Sequence, residues 1–243
     1  MSTIPDSLEA AISQAKSALK VALANGCKRI TVDLVIPDIS LKAQYLAWEF
    51  AQEFLDYGSG LKVIFPDTGA AALARRDWGE TGFVVTDIGS SRTPVETKIS
   101  DTDQIFLLVC PSSVEVNLVE RLCNLVGDRP VVMLIPQLED IAVVGIGYAA
   151  RQLRERFINT LESAYYFRPL EGAVVMRQYP HMWQVWKEGE TGDYQLVAEV
   201  GQKPLGETLQ RILSGKTGVE DTAVSSPGGI LASFRSLFRA LNN

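Results

Sequence analysis

Gln104-Ile-Phe-Leu-Leu-Val-Cys110 and Pro130-Val-Val-Met-Leu-Ile135 are apolar runs with no polar residue inside them. A strand with one wet face alternates in polarity, so short uninterrupted runs like these fit strands buried on both faces, as in a parallel sheet between two helix layers. Between them, Ser113 to Val126 carries helical spacing and stops at Gly127-Asp128, which makes the stretch read strand, helix, strand. The same alternation extends upstream. Asp6-Ser-Leu-Glu9 spells a capping box, and Leu8, Ile12, Ala15, Leu19 and Leu23 then recur at helical spacing up to Asn25-Gly26. Arg29 to Ile36 is a β-branched run closed by Pro37; Ser40 to Tyr57 reads as one helix with Tyr45, Trp48 and Leu55 on a shared face, ended by Gly58 and Gly60. Leu61 to Phe65 and Phe83 to Ile88 read as strands around a helix from Thr68 to Trp78. The expectation is an α/β protein with a mostly parallel, Rossmann-like sheet flanked by helices.

After Pro136 the texture changes. Ala149 to Ala164 reads as a charged helix, and Tyr165 to Arg168, Ala173 to Gln178, Trp183 to Trp186 and Tyr194 to Val200 read as short strands, with Glu188-Gly-Glu-Thr-Gly192 as a turn. These four predict an antiparallel meander appended to the parallel sheet, followed by a last body helix from Leu205 to Leu213. The predicted organisation is one domain over 1–215, a Gly-, Ser- and Thr-rich linker over 216–229, and a C-terminal amphipathic helix over 230–243.

Composition narrows the function. A chain of 243 residues with 47% hydrophobic content can bury a sizeable core, and its net charge of −6 argues against nucleic acid as a partner, because phosphate neutralisation needs a concentrated surplus of cations. Cys27, Cys110 and Cys123 are widely spaced beside apolar runs, which suits reduced core thiols in a reducing compartment. The start carries no basic-then-apolar leader and no run is long enough to span a bilayer, so the expected location is cytoplasmic, or peripheral on a membrane.

The tail is the most informative local feature. At about 100° per residue, Ile230, Leu231, Phe234, Leu237, Phe238 and Leu241 fall within an arc of about 120°, flanked by Arg235 and Arg239. Such a face, tethered by a polar linker, needs the body, a protein partner, or a lipid surface to cover it.

Candidate sites for small ligands are weaker. Gly145-Ile-Gly147-Tyr-Ala-Ala150 has the spelling of a dinucleotide turn but lacks the following acidic residue. What survives is an anion seat made by Gly145, Gly147 and Arg151 at a helix start, with Ser112 and Ser113 as further candidates at the C-terminal end of a strand. Cys110-Pro-Ser-Ser113 has the look of a redox turn, in which a helix dipole lowers a thiol's pKa; the plainer reading is a strand end and a helix cap. Asp67-Thr-Gly69 shares its spelling with aspartic proteases, but a helix follows it and no second carboxylate is placed to share a proton. His181 has no partner at metal or triad spacing, so no metal or other cofactor is implied. Arg151, Arg154, Arg156, Arg168 and Arg177 read as solvated or paired with Glu155, Glu162 or Glu171, the alternative being one basic face.

Four segments carry a resemblance: Phe65-Pro-Asp-Thr-Gly-Ala-Ala-Ala-Leu-Ala-Arg-Arg-Asp-Trp78, Val144-Gly-Ile-Gly-Tyr-Ala-Ala-Arg-Gln-Leu-Arg-Glu-Arg-Phe157, Tyr165-Tyr-Phe-Arg-Pro-Leu170 and Tyr179-Pro-His-Met-Trp-Gln-Val-Trp186. In these the chain resembles the cyanobacterial and plastid family of unknown function DUF1995, the low photosystem II accumulation three-like proteins. The resemblance implies an oxygenic phototroph and a non-enzymatic factor that assists photosystem II assembly through a protein partner and the thylakoid surface. It implies no reaction and supplies no catalytic residues. The rival reading is a nucleotide- or phosphate-binding enzyme using the crevice at the C-terminal ends of the parallel strands, near Asp67, Ser112, Ser113, Gly147 and Arg151.

Overall fold

The computed structural model describes residues 3–90, 92–138 and 148–215. Gly145, Gly147, the linker and the tail residues Ile230, Leu231, Phe234, Arg235, Leu237, Phe238, Arg239 and Leu241 lie outside the described residues. The strands are β1 (Arg29–Leu34), β2 (Leu61–Phe65), β3 (Val84–Asp87), β4 (Ile105–Val109), β5 (Val131–Leu134), β6 (Glu162–Leu170), β7 (Ala173–Gln178), β8 (Trp183–Glu188) and β9 (Tyr194–Val200). The helices are α1 (Leu8–Ala24), α2 (Ala43–Ala51), α3 (Thr68–Trp78), α4 (Val116–Val126), α5 (Tyr148–Arg156) and α6 (Gly206–Leu213).

All nine described strands form one sheet in the order β3-β2-β4-β5-β1-β6-β7-β8-β9. The two unalternating runs become β4 and β5, paired in parallel with Leu107 opposite Val132, and every residue of both is buried. Right-handed crossovers dictate the layering. Connections moving toward β3 carry α2 and α3 onto one face, where they join α1 around Leu19, Phe50, Ala71 and Tyr165. Connections moving back toward β6 carry α4 and α5 onto the other, around Val119, Leu122, Met133, Leu153 and Phe157. A third cluster, Tyr166, Val175, Trp183, Val185 and Leu209, seats α6 on the meander.

Three expectations need correction. The first strand of the supposed meander is also the last parallel strand: β6 pairs in parallel with β1 and antiparallel with β7. It begins at Glu162, inside the span read as helix, because Ser163 to Phe167 is buried on both faces and so shows no strand alternation. The helix expected over Ser40 to Tyr57 is three pieces, with α2 between 3-10 turns at Ile39–Lys42 and Gln52–Gly60; Gly58 sits at φ 52, a conformation few other residues accept. The helix expected from Ser113 starts only at Val116.

The segment 65–78 that carries part of the resemblance is structural. Trp78 packs against Trp48 with centroids 5.4 Å apart, against Phe65 at 5.8 Å and against Phe83 at 6.1 Å. The one lysine inside β2 is explained by a closed polar cage. Lys62 Nζ donates to Asp103 Oδ2 and to the Lys98 carbonyl, both at 2.6 Å, while the Ser100 amide donates to the same carboxylate oxygen at 2.7 Å. The two side chains are only 8% and 2% exposed. Removing one member of such a pair leaves a buried charge without compensation. Asp103→Ala is therefore expected to cost about 3–5 kcal/mol in urea unfolding, and Lys62→Met with Asp103→Leu to recover most of it. A loss below about 1 kcal/mol for the single change would contradict the role assigned to the cage.

Candidate functional site

In a doubly wound sheet the place to search is the end where the parallel strands finish and their connections part to opposite faces. Here β2 feeds a helix on one face and its neighbour β4 feeds one on the other, and the same holds for β5 and β1. The residues at this end explain what it can hold. Ser112-Ser-Val-Glu115 has the capping spelling, and it closes on itself: the Glu115 carboxylate accepts from the Ser112 amide at 2.9 Å and from its hydroxyl at 2.6 Å. The Val114 amide donates to Ser112 Oγ at 3.1 Å. An outside anion at Ser112 would have to displace this carboxylate.

Among the described residues, the ends of β2, β4 and β5 are equally filled. Ser112 bridges to Gln137, whose amide donates to the Pro111 carbonyl at 2.8 Å, stitching the β4 and β5 ends together. Ile64, Phe65, Ile88, Leu108, Val109, Pro111 and Glu115 close on one another and leave no room for a water-sized sphere, far short of a ligand pocket. Asp67 is a helix cap, its carboxylate accepting the Ala70 amide at 2.9 Å. Burial, with Glu115 nearby, pushes the Cys110 thiol above its ordinary pKa, the reverse of what a reactive thiol in a redox turn requires. Ser113 is half-buried and Arg151 is exposed on α5.

This end is strained and apolar. The three non-glycine residues at positive φ among the described residues are Cys110 (47°), Ile135 (43°) and Asp38 (59°), and they follow β4, β5 and β1, three adjacent strands. Ladder hydrogen bonds hold the first two: the Cys110 amide donates to Leu134 O at 2.8 Å and the Ile135 amide to Val32 O at 2.7 Å. Strain of this kind persists where surrounding structure over-determines it and gathers at functional sites. The same three connections present Val114 at 83%, Tyr148 at 78%, Leu41 at 80% and Val35 at 42% exposure.

The remaining candidates are dispersed. Arg156 makes a two-pronged pair with Glu120, at 2.7 and 3.0 Å, and Arg177 pairs with Glu162 at 2.6 Å. His181 is exposed, and no group of three or more metal-binding side chains occurs among the described residues. No described helix is long and apolar enough to cross a membrane.

One polar group escaped the sequence reading. Thr31 and Asp33 alternate with buried Ile30, Val32 and Leu34 on β1, and register sets Ser163 and Tyr166 of β6 opposite them. The Thr31 hydroxyl donates to Asp33 at 2.7 Å, Lys203 Nζ lies 4.1 Å from the Tyr166 ring centre, and Arg168 lies near the Tyr166 hydroxyl. Ser163 Oγ is buried without a partner. The Thr-x-Asp alternation inside a β-branched run was the available signal.

Burial, partly offset by Lys203 and by the Thr31 hydroxyl, holds the Asp33 carboxyl above its ordinary pKa. The folded chain therefore keeps this proton when the unfolded chain has released it, and stability falls as pH rises through the window above the unfolded value. Asp33→Asn is expected to gain stability over the natural protein at about pH 8 and to lose that advantage toward about pH 4 in urea titrations; a constant difference would contradict this.

The body is an α/β sheet doubly wound in its parallel part and extended by a meander, and among the described residues its β2, β4 and β5 ends are closed by their own side chains. The chain belongs to the family described as Domain of unknown function (DUF1995), whose profile matches residues 5–211. No solved structure matches the chain.

Proposed function

We propose that this protein is a non-enzymatic binding factor that recognises a protein partner with the C-terminal end of its parallel strands. The observation that carries the reading is the combination at one place of a crevice filled by Glu115, strained backbone at Cys110, Ile135 and Asp38, and exposed Leu41, Val114 and Tyr148. Exposed apolar side chains at one end of the sheet offer contact area to a partner, and a filled crevice favours a macromolecular surface over a small ligand. The family resemblance supports a partner in the photosynthetic apparatus, with the protein assisting photosystem II assembly while peripherally held at the thylakoid. The arc of Ile230, Leu231, Phe234, Leu237, Phe238 and Leu241, with Arg235 and Arg239 beside it, supplies a second attachment to the partner or to lipid and raises the local concentration of the body.

A nucleotide or phosphate site is the second reading, favoured by exposed Arg151 in the first turns of α5. It predicts a rise in melting temperature with nucleotides or sugar phosphates that Arg151→Ala abolishes; the binding-factor reading predicts no rise with either form.

Co-sedimentation with isolated thylakoid membranes tests the binding reading. A form ending at Val224 and a full-length Leu41→Asp/Val114→Asp form, each with unchanged melting temperature, are both expected to lose about tenfold in bound fraction. Equal binding by all three forms would overturn the proposal.

A further inference from the structure

On a chain of net charge −6, most arginines are spent on the protein itself. Arg76, Arg121, Arg156 and Arg177 each hold a carboxylate, and Arg29, Arg75 and Arg129 are donated to backbone carbonyls. Arg92, Arg151 and Arg168 have no carboxylate partner among the described residues. Arg211 has none either, but it lies in the last turn of α6, where a cation complements the helix dipole.

The three arginines share one end of the sheet. Arg92 is exposed just beyond β3, Arg151 is exposed in the first turns of α5, which follows β5 in the chain, and Arg168 is half-buried close to the end of β6. The strands they follow stand in the order β3-β2-β4-β5-β1-β6, a walk of five spacings or about 24 Å. The connections of β4, β5 and β1, between the outer two arginines, carry exposed Val114, Tyr148, Val35 and Leu41. Three carboxylates at this end are turned inward: Glu115 accepts from Ser112, Asp67 caps α3 and Asp87 holds Lys98. Asp38 is exposed.

The chemistry of this end selects the kind of partner. A guanidinium without a counter-charge presents a planar fork that matches a carboxylate through two hydrogen bonds. Arginine and tyrosine are enriched in protein interfaces, where lysine is depleted. An anionic lipid surface is usually met by a cluster of about four to eight cations, and three arginines spread over about 24 Å are a sparser set.

We propose that the rim recognises an acidic segment of its protein partner, with Asp or Glu side chains seated on Arg92, Arg151 and Arg168 and apolar side chains meeting Val114, Tyr148 and Leu41. Acidic recognition rests on the rim being the surface that meets the partner.

Co-sedimentation with isolated thylakoid membranes at low salt tests it. Arg92→Glu/Arg151→Glu is compared with Arg76→Glu/Lys28→Glu, the same charge change at the opposite end of the sheet, where both side chains are exposed. With melting temperatures unchanged, the first is expected to lose at least about tenfold in bound fraction and the second to bind as the natural protein does. Arg168→Gln repeats the test at the third position, with an expected loss of about threefold. On protein-free vesicles of thylakoid-lipid composition, the natural protein and Arg92→Glu/Arg151→Glu are expected to bind alike. Equal membrane binding by these two forms would overturn the acidic partner. A tenfold loss that appears equally on the vesicles would also overturn it, by assigning the anion to a lipid headgroup. Failure of the binding reading is separable: if Leu41→Asp/Val114→Asp loses binding while Arg92→Glu/Arg151→Glu does not, the rim stands and the acidic partner falls. If neither form loses binding, the rim falls as well.

Discussion

Strand β1 is the seam on which the molecule depends. It pairs in parallel with β5 on one side and with β6 on the other, so it joins the doubly wound half to the meander in one continuous sheet. Its two faces do different work. Ile30, Val32 and Leu34 enter the core shared with α1, while Thr31 and Asp33 face the opposite layer beside Tyr166. That opposite face has two apolar clusters, one under α4 and α5 and one under α6, and the polar strip on β1 and β6 is the boundary between them. Burial makes the Asp33 charge costly there, so its raised pKa follows from the same packing that joins the two halves.

The seam also sets the chemistry of the strand ends. Because β4, β5 and β1 are neighbours in the sheet, their connections emerge side by side, and these carry the strained residues Cys110, Ile135 and Asp38 and the exposed Val35, Leu41, Val114 and Tyr148. A sheet of this type with an open end would offer a ligand crevice. Here Glu115 lies on the Ser112 amide and the β4 and β5 ends are stitched through Gln137, and the proposed binding reading assigns recognition to the rim. A shallow apolar rim is suited to another macromolecule, because it gives area without enclosing a small ligand.

The parallel half was legible in the sequence for a simple reason: strands buried on both faces are uninterrupted apolar runs, and β4 and β5 are bounded by Gln104, Pro111, Pro130 and Pro136. The same physics hid β6. Tyr165-Tyr-Phe167 lacks alternation and follows a charged helix, so nothing local distinguishes a seam strand from the start of a meander; only its pairing with β1 does. The strand-end site was partly legible. Ser112-Ser-Val-Glu115 spells its own capping carboxylate, whereas the filling of the crevice by Ile64, Ile88 and Leu108 depends on strand order, which no single segment encodes. The polar strip was illegible because Thr31 and Asp33 lie more than 130 residues from Ser163 and Tyr166 in the sequence and meet them only through the register.

The central claim is that the rim, and not another face, meets the partner. Photo-crosslinking tests it most directly: a photoreactive side chain is placed in turn at Leu41, Val114 and Leu55 of the full-length protein, which is then irradiated on isolated thylakoid membranes. The account predicts the same discrete crosslinked band from Leu41 and Val114 and none from Leu55, at the opposite end of the sheet. Equal crosslinking from all three positions, or crosslinking from Leu55 alone, would contradict it.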